Sequence, residues 1–237
     1  MTSWFCKGII VVYFFLTMVP AAHAEDLFMA RETFKRLKAI EQQAIDKQQQ
    51  AIDQLKIYLR EMKSIAVDFT QVDSAGTRSE GKLLINKPSK FRCNYYPPFP
   101  LVIIGNANYV SVYDYDMKHV SRIKAEENVF NFLLEDVVDF DKYFKIESTI
   151  DQDNMFEVII YHTLSERRSQ ITFDKETKQV KMLKILEDDN VITIKFNHIA
   201  KVQKFDDDLF KLKHPDIFGA PNRLNKSDIE KKYNLAS

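Results

Sequence analysis

The sequence predicts an α+β fold, mostly β: a strongly curved antiparallel half-barrel sheet of about ten or eleven strands, with helices covering its concave apolar face. Three observations predict it. Residues 26–63 contain no Gly or Pro and are rich in Ala, Gln, Lys, Glu and Leu, a helix-forming composition. From Ile65 the apolar period changes to two. Short polar or proline-bearing breaks then recur between strand-like runs, which is the pattern of an antiparallel meander.

In the helix, Ile45, Ile52, Leu55, Leu59 and Met62 form one stripe. The stripe is clear after Ala44 and weaker before it, where Phe34, Leu37 and Ile40 alternate with polar residues. This predicts a second half packed on the sheet and a partly solvated first half, or a first half that is an arm for a partner. Ile65, Val67 and Phe69 then alternate with Ala66, Asp68 and Thr70 as a half-buried strand. Strands follow near 79–87, 90–96, 101–105, 108–115 and 118–124. Pro97-Pro98-Phe99-Pro100 cannot donate ladder hydrogen bonds and must be a connection or an edge. At Glu126–Glu135 the rhythm breaks: Phe130, Leu133 and Leu134 at i, i+3 and i+4 predict a short amphipathic helix. Strands resume near 142–150, 155–162, 168–174, 179–187 and 190–203, with a last short strand at Leu209–Lys213. Ser227 and Glu230 have capping-box spacing for a terminal helix.

The N-terminus reads as a targeting segment. Lys7 is followed by an apolar run from Gly8 to Val19, too short for the roughly 17–25 residues of a membrane span, then by Ala22-His23-Ala24. Cleavage is expected after Ala24, placing the mature chain in a bacterial periplasm. Residues 1–24 are then the leader, 25–50 a helical extension, 51–218 the main domain and 219–237 a polar tail. Cys6 goes with the leader and precedes the apolar run, so it is not a lipid-attachment cysteine; Cys93 is left without an internal partner.

Chemistry is sparse. The 34 basic and 34 acidic residues balance, which argues against nucleic acid. The five glycines make no phosphate cradle. His119, His162, His198 and His214 show no zinc-helix spacing, and there is no nucleophile elbow. On strand alternation Cys93 shares a face with Phe91 and Tyr95, as a small buried hydrophobe would. Asp206-Asp207-Asp208 and the Asp114/Asp116 pair read as turn carboxylates, with calcium binding or glycoside hydrolysis as the sharper alternatives. No cofactor and no metal site is expected.

Val67-Asp-Phe-Thr-Gln71, Gly81-Lys-Leu-Leu-Ile85, Lys87-Pro88 with Phe91-Arg92, Tyr96-Pro-Pro-Phe-Pro100, and the Gly105 to Asp114 strand pair together resemble the LolA family. Val129-Phe-Asn-Phe-Leu-Leu134 resembles its mid-chain lid helix. The resemblance runs from about Leu55 to Pro215. It implies a half-open sheet with a lid over an apolar cavity, and a monomeric periplasmic carrier, not an enzyme. Triacylated lipoproteins are the implied cargo, received from an inner-membrane ABC-type release complex and passed to an outer-membrane acceptor. Exposing three chains of about 15 methylenes to water would cost on the order of 35 kcal/mol, so such a carrier needs a large continuous apolar surface. The candidate lining is Phe69, Leu83, Ile85, Phe91, Tyr95, Ile103 and Tyr113 from the sheet, with Phe130, Leu133 and Leu134 from the lid. Each could equally be plain core, and alternation does not say which sheet face is concave. The family's basic residue before the Pro of its second strand, usually Arg, matches Lys87 here. The resemblance implies that Lys87 steadies the closed lid, with Arg92 as a residue that could share the task. The extra helical residues before the amphipathic part depart from the family pattern. A carrier of the same fold for another amphiphile, or a lipid- or glycan-acting hydrolase, are the rival readings.

Overall fold

The computed structural model describes residues 24–135, 143–187 and 189–233, with side chains from Leu27 onward. The predicted leader therefore lies outside the described residues, apart from Ala24 at its end. By contact density the chain divides into a unit at residues 1–49 and a unit at residues 50–237.

Helix α1 spans Ala24–Glu61. In the first unit its apolar residues, Ile45 among them, are exposed, which corrects the stripe at that position. In the second unit Ala51, Ile52, Leu55, Leu59 and the following Met62 are buried in the main core.

Eleven strands make one sheet: β1 (Ser64–Val72), β2 (Arg78–Asn86), β3 (Lys90–Tyr95), β4 (Leu101–Gly105), β5 (Tyr109–Asp114), β6 (His119–Lys124), β7 (Phe144–Gln152), β8 (Met155–His162), β9 (Arg167–Asp174), β10 (Gln179–Glu187) and β11 (Asn190–Lys201). The order is β6-β5-β4-β3-β2-β1-β11-β10-β9-β8-β7. Every pairing is antiparallel. The sheet is open, with β6 and β7 at its edges. Two meanders meet where β1 pairs with β11, and a register shift after Asp68 falls at that seam.

Alternation gives the sheet two apolar faces. One holds Ile65, Val67, Phe69, Ile85, Phe91 and Cys93 with the α1 residues and Phe132–Leu134. The other holds Ala66 and Leu84 against Val202, Phe205, Leu209, Phe210 and Ile229, and separately Val102, Ile104 and Tyr113 against Tyr115 and Leu212.

Two predicted elements differ. The mid-chain helix is a pair of single 3-10 turns, Ala125–Glu127 and Asn131–Leu133. Asn128 separates them: its Oδ1 accepts from the Phe130 N–H and its C=O from the Asn131 N–H, so the chain turns locally instead of propagating a helix. Leu209–Lys213 is not a strand. Asp206 Oδ1 accepts from the Asp208 N–H and nucleates a 3-10 turn over Asp207–Phe210. The terminal helix α2 spans Lys226–Tyr233. Its cap is Asn225, whose Oδ1 accepts from the Asp228 N–H at 2.9 Å, so the Ser227 position is already inside the helix.

Candidate functional site: an apolar cavity under a tethered cover

The first sheet face is not filled. The second half of α1 packs over the β8–β10 side, where Tyr58 and Phe173 rings lie 5.9 Å apart. The 3-10 segment anchors at β7 through Phe132 against Phe144, with ring centroids at 5.7 Å. A cavity of about 340 Å³ lies between the sheet and the 3-10 segment. Its wall on the β1–β4 side is Phe69, Leu83, Ile85, Phe91, Cys93, Tyr95 and Ile103, and Val129, Phe130, Leu133 and Leu134 line it from the cover.

Of the residues the sequence offered as lining, Phe69, Leu83, Ile85, Phe91, Tyr95, Ile103, Phe130, Leu133 and Leu134 meet around this cavity. Tyr113 does not. On β5 it is Val110 and Val112 that face the cavity, so Tyr113 points to the other face and packs edge-on against Tyr115 at 5.0 Å. The sequence reading also missed a second wall: Leu183 and Ile185 of β10 with Ile192, Ile194 and Phe196 of β11. Their alternation is visible in the sequence, but their place beside β1 comes from the β1–β11 pairing.

Two glycines shape the wall. Gly81 pairs with Phe69 across β1–β2, and Gly105 pairs with Phe91 across β3–β4. A Cβ at either position would overlap the facing ring. The rings therefore lie down over the glycines as part of the cavity wall.

The polar groups are few. Tyr95 donates to Gln71 Oε1 at 2.8 Å. Burial pushes the Cys93 thiol up to about 12, with the Tyr95 hydroxyl opposing, so it stays a thiol and not a thiolate nucleophile. Arg167, whose side chain is half exposed, pairs with Glu187 at 3.2 Å at the margin. The carboxylates singled out in the sequence lie in turns. Asp114 Oδ1 accepts from the Asp116 and Met117 N–H groups, and Asp207 pairs with Lys90 at 2.8 Å.

Lys87 is buried and joins the two covering elements. Its Nζ donates to the C=O of Leu59, in the last turns of α1, at 2.5 Å and to the C=O of Glu135 at 2.7 Å. The neighbouring Ser89 N–H donates to the Leu134 C=O at 2.9 Å. Both carbonyls on Lys87 come from element ends, where the helical ladder leaves acceptors open. Arg92 does something else. It is on the opposite face, donating to Asn94 Oδ1 at 2.9 Å, to the Leu209 C=O at 3.2 Å and to the Asn222 C=O at 2.5 Å. It therefore holds the C-terminal segment and has no share in the cover. Residues 90–95 alternate, so position 92 must face away from Phe91 and Cys93.

A family model for the outer membrane lipoprotein carrier protein LolA matches residues 60–213. The chain belongs to the LolA family. An uncharacterized protein of Rickettsia prowazekii is 62% identical over 186 residues, covering 78% of this chain and 87% of that one. An outer-membrane lipoprotein carrier protein of Chromobacterium violaceum is 37% identical over 78 residues, 32% of this chain. That match spans 38% of the carrier's own length. The crystal structure of a LolA superfamily protein from Nitrosomonas europaea aligns with a TM-score of 0.42 at 8% identity, over 67% of this chain and 96% of that one. The LolA match takes in the β1–β4 wall, Lys87 and the whole 3-10 segment.

Proposed function

We propose that this LolA-family chain is a periplasmic carrier that takes up the acyl chains of lipoproteins released from the inner membrane and delivers them to an outer-membrane acceptor. The observation that carries the reading is the apolar cavity beneath a cover tethered by Lys87. An acyl chain is saturated hydrocarbon, and what recognises it is dry apolar area with few polar groups, gained at about 0.8 kcal/mol per buried methylene. The wall from Phe69 to Ile103 and from Leu183 to Phe196 supplies that area, and Phe130, Leu133 and Leu134 close over it.

At about 340 Å³ the cavity is near the low end of the roughly 300–1,000 Å³ of drug-sized sites. Three long acyl chains do not fit in it, so loading requires the cover to move. Lys87 sets the cost of that motion. Opening exchanges its two carbonyl contacts for water, and cargo offsets the loss by wetting less of itself. A carrier must also release, so the closed and open states have to be close in free energy. Loading energy comes from the inner-membrane ABC-type complex, and the acceptor drives unloading by binding the same chains more tightly.

A relay assay tests this. Incubated with inner-membrane vesicles carrying a labelled triacylated lipoprotein, the protein should bring the label into a soluble one-to-one complex, and acylated peptide should copurify with it. Label that stays in the vesicles, or copurification of diacyl lipid alone, would sink the reading.

A further inference from the structure

The part of α1 in the first unit carries an apolar face of its own. Leu27, Met29, Phe34, Leu37 and Ile40 are each more than half exposed. At 100° per residue these five and Ala30 fall in one arc of roughly 160°, which carries no charge from residue 27 to residue 40 and is bounded along the helix by Asp26 and Glu41. Thr33 is the polar residue in that arc, and its hydroxyl is turned back on the Met29 C=O at 2.8 Å. Phe28 lies outside it, on the polar side.

The charges are arranged around the arc. Residues 27–40 contain four basic side chains, Arg31, Lys35, Arg36 and Lys38, and one acidic, Glu32. Arg31 and Lys38 border the arc on one side and Arg36 borders it on the other. Glu32 sits on the far side, paired with Lys35 at 3.1 Å. The Lys38 amine lies over the Phe34 ring, 4.8 Å from its centroid, at the border of the apolar arc.

We propose that residues 27–40 form a membrane-surface arm, which lies with its apolar arc in the headgroup region of an anionic bilayer. A broad apolar face bordered on both sides by Lys and Arg suits a surface whose interior is hydrocarbon and whose rim is phosphate. Among the described residues no helix is long and apolar enough to cross a membrane, so the arm lies on the bilayer and does not span it. A second copy of the chain fits less well. A coiled-coil seam needs apolar a and d positions over three or more heptads. In the register set by Leu27, Phe34 and their d partners Ala30 and Leu37, the next two a positions are Glu41 and Gln48. The inference goes beyond the carrier reading and does not depend on what the cavity holds.

The test uses the whole mature chain and vesicle co-sedimentation. Vesicles of phosphatidylethanolamine with phosphatidylglycerol should bind it at least about tenfold better than phosphatidylcholine vesicles, with the difference erased by high salt. Phe34→Asp with Leu37→Asp should lower binding to both about tenfold or more. Arg36→Glu with Lys38→Glu should remove the preference for anionic vesicles. All four residues are exposed, so thermal unfolding of the domain should not change, and a shift would be visible in the same samples. Equal binding by the Asp variant and wild type would overturn the proposal, since the cavity alone would then explain lipid affinity. So would absence of wild-type binding to anionic vesicles, or a wild-type dimer in solution that the Asp variant splits. Failure of the lipoprotein relay would leave these outcomes untouched.

Discussion

The two faces of one sheet are covered in different ways. On the cavity face the cover is a pair of 3-10 turns and the end of a helix, packed through apolar side chains and joined at Lys87. A void is left beneath it. On the other face the C-terminal segment is pinned by charge. Lys82, 2% exposed, contacts Asp68 at 3.2 Å and Glu230 of α2 at 3.5 Å. Arg92 fixes Leu209 and Asn222, and Phe205 stacks edge-on with both Phe210 and Tyr233. Moving this segment would part Lys82 from a carboxylate of α2 and leave charge unpaired at a buried site, which is costly. Lys87 is a buried cation too, but the carbonyls that hold it at element ends are neutral, and water can take them over when the cover opens. The contrast points to the cavity face as the one with the weaker closure.

The largest test of that contrast is Lys82→Ala. It leaves Asp68 and Glu230 facing each other, and both are partly exposed, so the loss should sit at the low end for a broken buried pair, about 3 kcal/mol in urea unfolding. Cargo transfer by the molecules that remain folded should be unchanged. A variant that kept full stability would mean that the outer face is not pinned by charge.

Lys87→Leu should cost less, about 2 kcal/mol, and locally. Amide hydrogen exchange should quicken at Asn131, Leu133 and Leu134 and stay the same in α2. Hand-off should be altered with it. Uniform acceleration, or none, would break the distinction between the faces.

The smallest effect is a pH dependence at His162. Its ring lies 4.8 Å from Phe144, which in turn packs on Phe132 of the cover. The Ser165 N–H donates to His162 Nδ1 at 3.1 Å, so Nδ1 is the acceptor and an added proton would break that contact. Burial lowers the pKa, with the Glu126 backbone opposing. A depressed histidine is bound by protons more readily in the unfolded chain. Its stabilisation is therefore present above the unfolded value of about 6.5 and is lost as pH falls through that value toward the folded-state one. His162→Gln should flatten unfolding stability relative to wild type as pH falls below about 6.5. An unchanged slope would remove His162 as its source.

Much of the cavity was legible in the sequence because a strand's side chains alternate by geometry alone. Once Phe69 faces the core, Leu83, Ile85, Phe91, Tyr95 and Ile103 follow through the hairpin registers. Tyr113 failed because β5 carries bulky residues on both sides, with Tyr109 and Tyr113 on one and Val110 and Val112 on the other. Arg92 failed for a related reason: a cation near a lid motif reads as a lid contact until the face is known. The Leu183–Phe196 wall was hidden by distance, since β1 and β11 are separated by more than a hundred residues and their pairing leaves no local mark.

The sequence alone carried the secondary-structure rhythm, the apolar stripe in the second half of the first helix and the ordered motifs by which the chain resembles its family, Lys87 among them. These are local properties of periodicity, composition and spacing. Long-range packing settled which face is the cavity, which cation holds which segment, and that the last strands complete the wall begun by the first. Each of those depends on which of two apolar faces a long-range partner occupies, and a two-residue repeat is symmetric between its faces until something packs on one of them.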